Sequence, residues 1–326
     1  EGNVMLYTYT GAAYFDSEDK FNKIDFSDIE DESFQKEAKT SWISMIQHYF
    51  FTAWLPSDKG SDKKTIYTRL LSEDNKNSYQ IGSVDNYIAL SPGESYSFDS
   101  KLYIGPKVQA EITDLAPGLA LTVDYGVLTF LAAPLFWILE KIHLIFGNWG
   151  WSIIMLTILI KIVFFKLSEA SYKSMAKMKK LTPRMNALKE RYGDDKKKFS
   201  EALMKIYKEE KVNPLGGCLP ILIQIPVFIA LYWVIIESVE MRHAPFIGWI
   251  EDLSSADPLY ILPVLMGVSM YAQQKLNPAP TDPMQAKIFL ALPFVFTFLF
   301  ATFPSGLVLY WVTNNLLSIA QQYVIN

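Results

Sequence analysis

Residues 166–211 read KLSEASYKSMAKMKKLTPRMNALKERYGDDKKKFSEALMKIYKEEK. This segment carries 14 of the 30 Lys and Arg residues of the chain against 7 Asp and Glu, a net charge of +7. Long apolar runs flank it on both sides, and loops rich in Lys and Arg remain on the cytosolic side of a membrane. We therefore expect residues 166–211 to form a cytosolic loop between two membrane spans.

The same loop has the periodicity of two helices. Apolar side chains recur every three or four residues in two series, before and after Tyr192-Gly193-Asp194-Asp195, which has turn chemistry and suits a helix cap. The pattern predicts an antiparallel helical hairpin that stands off the membrane. Its Met-rich stripe is typical of helix packing, with partner binding as the alternative. The residues of the hairpin that we single out as candidates for function are Met175, Met178, Tyr192 and Asp194.

Five apolar runs are candidate membrane spans. They cover residues 149–165, 217–236, 259–273, 286–302 and 306–323. Some are short, because a 15-residue helix is only ~23 Å long and the hydrocarbon core is about 30 Å thick. Short spans predict local thinning of the bilayer or shielding by neighbouring helices. Residues 125–146 are also long enough to span, but we expect them to lie in the membrane interface.

The distribution of charge is the reason for this expectation. Residues 1–124 carry 20 Asp and Glu against 11 Lys and Arg and contain no long apolar run. If residues 125–146 crossed the membrane, this acidic region and the basic loop would lie on the same side. With 125–146 in the interface, residues 1–124 are periplasmic and residues 166–211 are cytosolic. The loop at 237–257, with five acidic residues against Arg242, then also falls on the outer side.

The acidic region has the pattern of a β domain. Short runs rich in Tyr, Phe, Ile and Thr are separated by polar, Gly or Pro residues, and they cover 4–10, 41–54, 64–70, 78–90 and 95–105. The strands are too few to close a sandwich. The predicted fold class is therefore mixed: a polytopic α-helical membrane core of five transmembrane helices (125–326) with a cytosolic helical hairpin, plus part of a periplasmic β-sandwich domain (1–124).

Polar residues inside the apolar runs are the candidate functional residues. Lys161 is the strongest candidate. Insertion of a Lys near the centre of a span costs roughly 2.5–3.5 kcal/mol of free energy, so such a residue usually faces a wet cavity or a partner. Snorkelling to the cytosolic interface is the alternative. Thr157 lies on the same helix face, one turn deeper, although its hydroxyl can bond back to its own helix. Gln224 and Asn314 suit either a polar groove or hydrogen bonds between helices.

The sequence argues against several classes of protein. It contains no P-loop, no GxSxG and no HExxH motif, and one Cys and three scattered His residues do not make a metal cluster. We therefore expect no catalysis, no cofactor and no metal. The run Leu215-Gly216-Gly217-Cys218 spells a lipobox, but it lies deep in the chain, so we expect no lipidation there.

Specific blocks of the sequence resemble a known family. They are Asn148-Trp149-Gly150, Ser174-Met175-Ala176-Lys177-Met178, Glu210-Lys211-Val212-Asn213-Pro214-Leu215-Gly216-Gly217-Cys218, Gln224-Ile225-Pro226, Asp282-Pro283-Met284-Gln285 and Phe303-Pro304-Ser305-Gly306-Leu307. Residues 125–326 resemble the membrane core of the YidC/Oxa/Alb family of membrane protein insertases. Residues 1–124 look like the later half of the periplasmic β-supersandwich of its Gram-negative members. Relative to the family, we expect this sequence to lack the first transmembrane helix, the first part of the periplasmic domain and the basic C-terminal tail.

The resemblance implies a mechanism and a set of residues. Family members enclose a hydrophilic groove open to the cytosol and to lipid, with a positive charge at the position of Lys161. Gram-negative members usually carry Arg there, and Lys lacks the planar fork of Arg. Trp311 stands where Tyr is common, after Tyr310. The implied groove is lined by Lys161, Thr157, Gln224, Asn314, Tyr310 and Trp311. The implied substrate slide, the apolar surface along which a substrate helix would move into lipid, is formed by Ile225, Pro226 and Phe296.

The expected function is that of a membrane protein insertase and chaperone in the bacterial inner membrane. It would move apolar segments of nascent proteins from the cytosol into the membrane, alone or with the Sec translocon, as a monomer in contact with ribosome and lipid and with no small-molecule substrate. A transporter or channel with an intramembrane Lys site is the alternative, although no inverted repeat is visible. A periplasmic carbohydrate enzyme is disfavoured, because His48 is the only His in residues 1–124.

Overall fold

The computed structural model describes residues 8–39, 42–55, 63–73, 76–192, 195–210, 212, 219–277 and 283–325. The chain divides into two compact units. The first comprises residues 1–126 together with 237–239, and the second comprises residues 127–236 together with 240–326. Three expectations fall outside the described residues: the strand over 4–7, the turn residue Asp194 and the run 215–218.

The first unit is rich in β-strands. Its described strands and helices are β1 (Gly11–Asp16), β2 (Lys20–Ile24), α1 (Phe26–Asp31), β3 (Gln35–Lys39), β4 (Trp42–Ile46), β5 (Phe50–Leu55), β6 (Lys63–Glu73), β7 (Lys76–Asp85), β8 (Lys101–Pro106) and α2 (Gln109–Ile112). They form a five-stranded sheet in the order β2-β1-β4-β5-β8 and a three-stranded sheet in the order β3-β6-β7. All pairings are antiparallel, so the prediction of a β-rich domain is confirmed.

The core of this unit lies between the two sheets. Ala12 and Tyr14 of β1 pack there with Ile66 of β6. On the other face of β1, Phe15 stacks on Trp42, whose indole N–H donates to the carbonyl of Pro117 over 2.9 Å. Strand β1 is therefore covered on both faces, and its side chains do not alternate between apolar and polar.

The predicted strands differ from the observed ones in position. The run 41–54 is a hairpin of β4 and β5, which reverses at residues 47–49 and is closed by a hydrogen bond from Gln47 N to Phe50 O of 2.9 Å. Residues 86–100 contain no regular strand, so the expected strands over 78–90 and 95–105 are shorter than predicted. Strands β1, β2 and β3 and helix α1 were not predicted, because their short polar or Ala-rich runs carry little period-2 signal.

The second unit is helical. Its described α-helices are α3 (Thr129–Phe146), α4 (Trp149–Val163), α5 (Phe165–Tyr192), α6 (Lys196–Glu209), α7 (Leu219–Glu237), α8 (Ile261–Leu276), α9 (Pro283–Phe300) and α10 (Ser305–Ile325). Each of the five expected spans coincides with one of these helices. Helix α10 packs against both α4 and α8, α9 packs against α8, and α3 packs against α4.

Length and apolar composition single out few complete spans. Within the described part of the chain, Gly126–Phe146 alone is long and apolar enough to cross a membrane as one helix. The pair α4 and α5 adds a second span if it is counted as one, although its two helices are bent by 69° at the break between them. The apolar stretches Leu222–Glu237 and Ala286–Phe300 are shorter. The number of spans and the interfacial position of residues 125–146 therefore stay predictions.

The predicted helical hairpin is present. Leu181 and Met185 of α5 are buried against Val212 and against side chains of α6, including Leu203 and Ile206. Arg184 of α5 pairs with Glu210 over 2.7 Å. Asp195 caps α6 by accepting a hydrogen bond from the backbone N–H of Lys198 over 3.1 Å, which confirms the predicted cap. Helix α6 therefore folds back along the second half of α5.

The ends of the helices opposite the hairpin are tied together by loops. Asn148 caps α4 by accepting from Trp151 N over 3.1 Å, and its amide donates to the carbonyls of Pro245 and Phe246 over 3.0 and 3.2 Å. At the start of α10, Ser305 N donates to Ser255 O over 2.7 Å. The neighbouring Gly306 N donates to Leu253 O over 2.9 Å. Backbone carbonyls of the loop at 244–257 thus accept hydrogen bonds from the starts of α4 and α10 and hold this end of the helices together.

Candidate functional site

A small pocket lies between α4, the start of α5, and α7. Its walls are formed by Ile160, Lys161, Phe164, Leu167, Ser168, Ile223, Gln224 and Val227. Lys161 and Gln224, which the sequence singled out separately, both line it. The pocket lies toward the hairpin end of the helices, since α5 follows α4 directly. Two predicted polar residues are therefore brought to one place, on walls that are otherwise mainly apolar.

Both polar groups of the pocket are held by α10. The ammonium of Lys161 donates to Ser318 Oγ over 2.7 Å. The side-chain amide of Gln224 donates to the hydroxyl of Tyr310, whose side chain is completely buried. Tyr310 and Ser318 are eight residues apart, about two helical turns, so one face of α10 carries both partners. Helix α10 thus supplies the hydrogen-bond partners of Lys161 and Gln224.

Two other predicted groove residues have local roles. Thr157 is buried, and its hydroxyl donates to the carbonyl of Ile153 over 2.7 Å, which is the bond within its own helix that the sequence left open. Asn314 is buried, and its carbonyl accepts a hydrogen bond from Ser318. The neighbouring Asn315 joins two helices instead, because its amide donates to Ser269 of α8 over 3.0 Å.

Trp311 lies in an aromatic cluster. Its ring makes an edge contact with Phe228 of α7 at 4.8 Å between centroids, and a tilted contact with Phe300 of α9 at 5.5 Å. Phe296, a predicted slide residue, packs on Phe300 at 6.0 Å. The indole N–H of Trp311 is buried and has no hydrogen-bond partner in the described part of the chain. Trp311 therefore joins α7, α9 and α10 through apolar contacts.

The predicted slide residues of α7 lie on an exposed apolar face. Ile225 is 45% exposed, and Pro226 is exposed beside it. Helix α9 is also strongly apolar on its exposed side, which carries Ile288, Phe289, Leu290, Phe294, Val295, Phe298 and Leu299. Apolar surface of this extent is expected for a surface covered by lipid or by another apolar segment.

The hairpin residues mainly pack inward. Met175 is buried, and Met178 packs against the cluster of Leu181 and Met185. Tyr192 ends α5, with the guanidinium of Arg191 5.4 Å from its ring centre. The Met stripe is therefore helix packing in this structure. In the described residues, no group of three or more His, Cys, Asp or Glu side chains is placed to hold a metal ion.

The sequence analysis did not single out Ser318, the hydrogen-bond partner of Lys161. The spacing of Asn314 and Ser318, four residues apart on one helix face, was the available signal. That signal places the hydroxyl near Asn314, but it does not show that Lys161 reaches it from another helix.

Comparison with known proteins extends this picture. Residues 141–326 match the family model described as 60Kd inner membrane protein, and residues 1–138 match the model described as YidC periplasmic domain. A protein of Thioalkalivibrio sulfidiphilus named membrane protein insertase YidC is 58% identical over 98% of this chain and 57% of its own length. Its namesake in Methylobacillus flagellatus is 55% identical over 100% of this chain and 58% of its own length.

A solved structure has the same fold. It is described as an active YidC insertase crystal structure with the first transmembrane domain resolved. It matches with a TM-score of 0.55 and 21% identity, and the match covers 96% of this chain and 83% of that one. The chain spans somewhat under three fifths of the length of the two curated relatives. By its family model and its relatives, the chain belongs to the YidC family of 60Kd inner membrane proteins, with a periplasmic domain in its first part.

Proposed function

We propose that this chain provides the membrane core of an insertase, which moves apolar segments of nascent membrane proteins from the cytosol into the inner membrane. The observation that carries the proposal is that Lys161 and Gln224 line one pocket, and that α7, which forms one wall of it, has an exposed apolar face at Ile225 and Pro226. A polar flank of a substrate would enter the pocket while its apolar segment moves along α7 and α9.

Two effects would drive this activity. The barrier to moving a polar flank of the substrate through hydrocarbon is lowered, and the transfer of the substrate's apolar segment into lipid is favourable. A wet pocket part of the way across the membrane shortens the hydrocarbon that a polar flank must cross. Helix α8 has 16 residues, about 24 Å of helix, so as a membrane span it would thin the bilayer around it. The transfer of the substrate's apolar side chains into lipid then drives the reaction, at about 25 cal/mol per Å² of buried apolar surface. Nucleotide hydrolysis is not needed for this step.

The proposal includes a topology and a set of partners. Residues 1–124 would be periplasmic, residues 166–211 cytosolic and residues 125–146 interfacial, with five spans at α4, α7, α8, α9 and α10. Nascent membrane proteins would be the substrates. The ribosome would approach the basic hairpin, and the Sec translocon would act beside the membrane core for substrates that need it. One copy of the chain carries the whole pocket, so we propose that a monomer is sufficient.

An insertion assay tests this function. The full-length protein is expressed in cells depleted of their own insertase, and insertion of a short substrate with an acidic tail is followed by protease protection. We expect the wild type to restore insertion, Lys161→Ala to lose most of it and Lys161→Arg to keep it. Lys166→Ala is the matched control, because it removes the same charge from a side chain that is 92% exposed.

The possible outcomes distinguish the insertase activity of the chain from the role of Lys161 in it. Equal insertion by the wild type and by Lys161→Ala would keep the insertase function and remove Lys161 from its mechanism. Equal losses in Lys161→Ala and Lys166→Ala would indicate a general need for positive charge at this end of the helices. A wild-type protein that reaches the membrane folded and restores no insertion would contradict the proposed function and favour the transporter.

A further inference from the structure

The hydroxyl of Ser318 makes two hydrogen bonds. A serine hydroxyl offers one hydrogen and two acceptor positions. Ser318 lies on α10 with 2% of its surface exposed, and its hydrogen is donated to the carbonyl of Asn314 over 2.7 Å. Its oxygen is therefore left to accept hydrogen bonds from other elements.

One of these acceptor positions receives the ammonium of Lys161. The distance from Lys161 Nζ to Ser318 Oγ is 2.7 Å, which is typical of a hydrogen bond from a charged donor. Such a bond is stronger away from bulk water, and Ser318 is inside the helix bundle. The contact joins α4 to α10 and places the ammonium at the wall of the pocket.

We propose that Ser318 is the positioning residue for the Lys161 ammonium. The hydroxyl keeps the ammonium at the wall of the pocket, where a carboxylate of a substrate would meet it. The use of this position rests on the proposed function, whereas the positioning itself can be measured without it.

The direct test measures the reactivity of Lys161. The full-length protein in proteoliposomes is treated at fixed pH with a water-soluble acetylating reagent, and acetylation of Lys161 is quantified by mass spectrometry relative to Lys166. We expect Ser318→Ala to free the amine and accelerate its acetylation roughly tenfold to a hundredfold, as loss of a hydrogen bond to a charged group implies. Ser318→Thr, which keeps the hydroxyl, should react at the wild-type rate.

A variant on the same helix provides the control for this test. Asn315→Ala is the matched control, because it removes a buried hydrogen bond between α10 and α8 without touching Lys161. An unchanged rate in Ser318→Ala would overturn the proposal. So would an equal acceleration in Ser318→Thr or in Asn315→Ala.

The same variants in the insertion assay separate this inference from the proposed function. We expect Ser318→Ala to impair a substrate with an acidic tail more than one with a neutral tail, and Ser318→Thr to restore both. If the wild type inserts nothing while the acetylation pattern holds, the function is wrong and the positioning stands. If insertion is normal while acetylation is the same in all variants, the positioning is wrong and the function stands.

Discussion

The hydroxyl of Tyr310 accepts a hydrogen bond from the side-chain amide of Gln224, a residue that lines the pocket. Tyr310 is fully buried, so its hydroxyl has no water to replace this partner. We expect Tyr310→Phe to lower the stability of the protein in detergent by about 1 kcal/mol, the usual contribution of one such bond. Thermal unfolding of the purified protein measures it.

The control for this prediction lies on the same helix. Tyr323 is 83% exposed, so Tyr323→Phe should leave the unfolding midpoint unchanged. Equal midpoints for Tyr310→Phe and the wild type would mean that the bond between Gln224 and Tyr310 adds nothing to stability.

At the scale of single residues, the sequence does not predict which hydroxyl side chain contacts Lys161. Lys161 could be predicted as a site residue, because a single charge in an apolar run is unusual. Thr157 and Ser318 could not be told apart, since each donates to a carbonyl four residues earlier in its own helix. The two hydroxyls differ because Lys161 donates a hydrogen bond to Ser318. That bond depends on how α4 packs against α10, which the local sequence around Thr157 or Ser318 does not show.

Close packing of α8 against α9 depends on a glycine. A Cβ added at Gly267 would overlap the side chain of Thr297 in α9. We expect Gly267→Val to push these helices apart and to destabilise the protein by about 1–3 kcal/mol, the usual effect of overpacking. The unfolding midpoint in detergent and the yield of folded protein measure the loss.

The adjacent residue provides the control. Val268 is 61% exposed, so Val268→Leu adds volume on the outer side of the same helix and should be neutral. If Gly267→Val were as stable as Val268→Leu, α8 and α9 would have room to separate, and their contact would not be tightly packed.

The sequence predicted the membrane-core helices better than it predicted the β-strands. The five apolar runs gave five helices, because an apolar run of that length has few other structures in a membrane. Strand β1 was missed because both of its faces are covered, so its sequence does not alternate. The run 41–54 was predicted as one strand, because its turn at Gln47-His48-Tyr49 contains neither Gly nor Pro.

The topology of the whole molecule is a prediction from charge, and labelling can test it. In a Cys218→Ser background, single cysteines replace Glu94 and Met204, which are both exposed. We expect a membrane-impermeant thiol reagent to label Glu94→Cys in intact spheroplasts and Met204→Cys only after lysis. This follows if residues 125–146 lie in the interface and the basic loop faces the cytosol.

The opposite result would identify a sixth span. Labelling of both cysteines from the outside, or of both only after lysis, would place the two regions on one side of the membrane. Residues 125–146 would then cross it, in agreement with the length and composition of Gly126–Phe146. Arg242→Cys is the reference position, and it should behave like Glu94→Cys because its loop is acidic.

At this scale the overall plan could be predicted from sequence and the pocket could not. Charge and hydropathy are summed over many residues, so the division into an acidic β domain and a helical domain survives errors at single positions. The pocket depends on the positions of Lys161, Gln224, Tyr310 and Ser318 on three helices, and no local pattern encodes them.

The 69° bend between α4 and α5 makes the hairpin a lever. Helix α5 has 28 residues, so it extends about 42 Å from the bend at Phe164. A rotation of about 10° around that point would move the far end of α5 by about 7 Å but would move Ser168, which lines the pocket, by only about 1 Å. A large displacement by a bulky particle at the tip would thus become a small shift at the wall of the pocket.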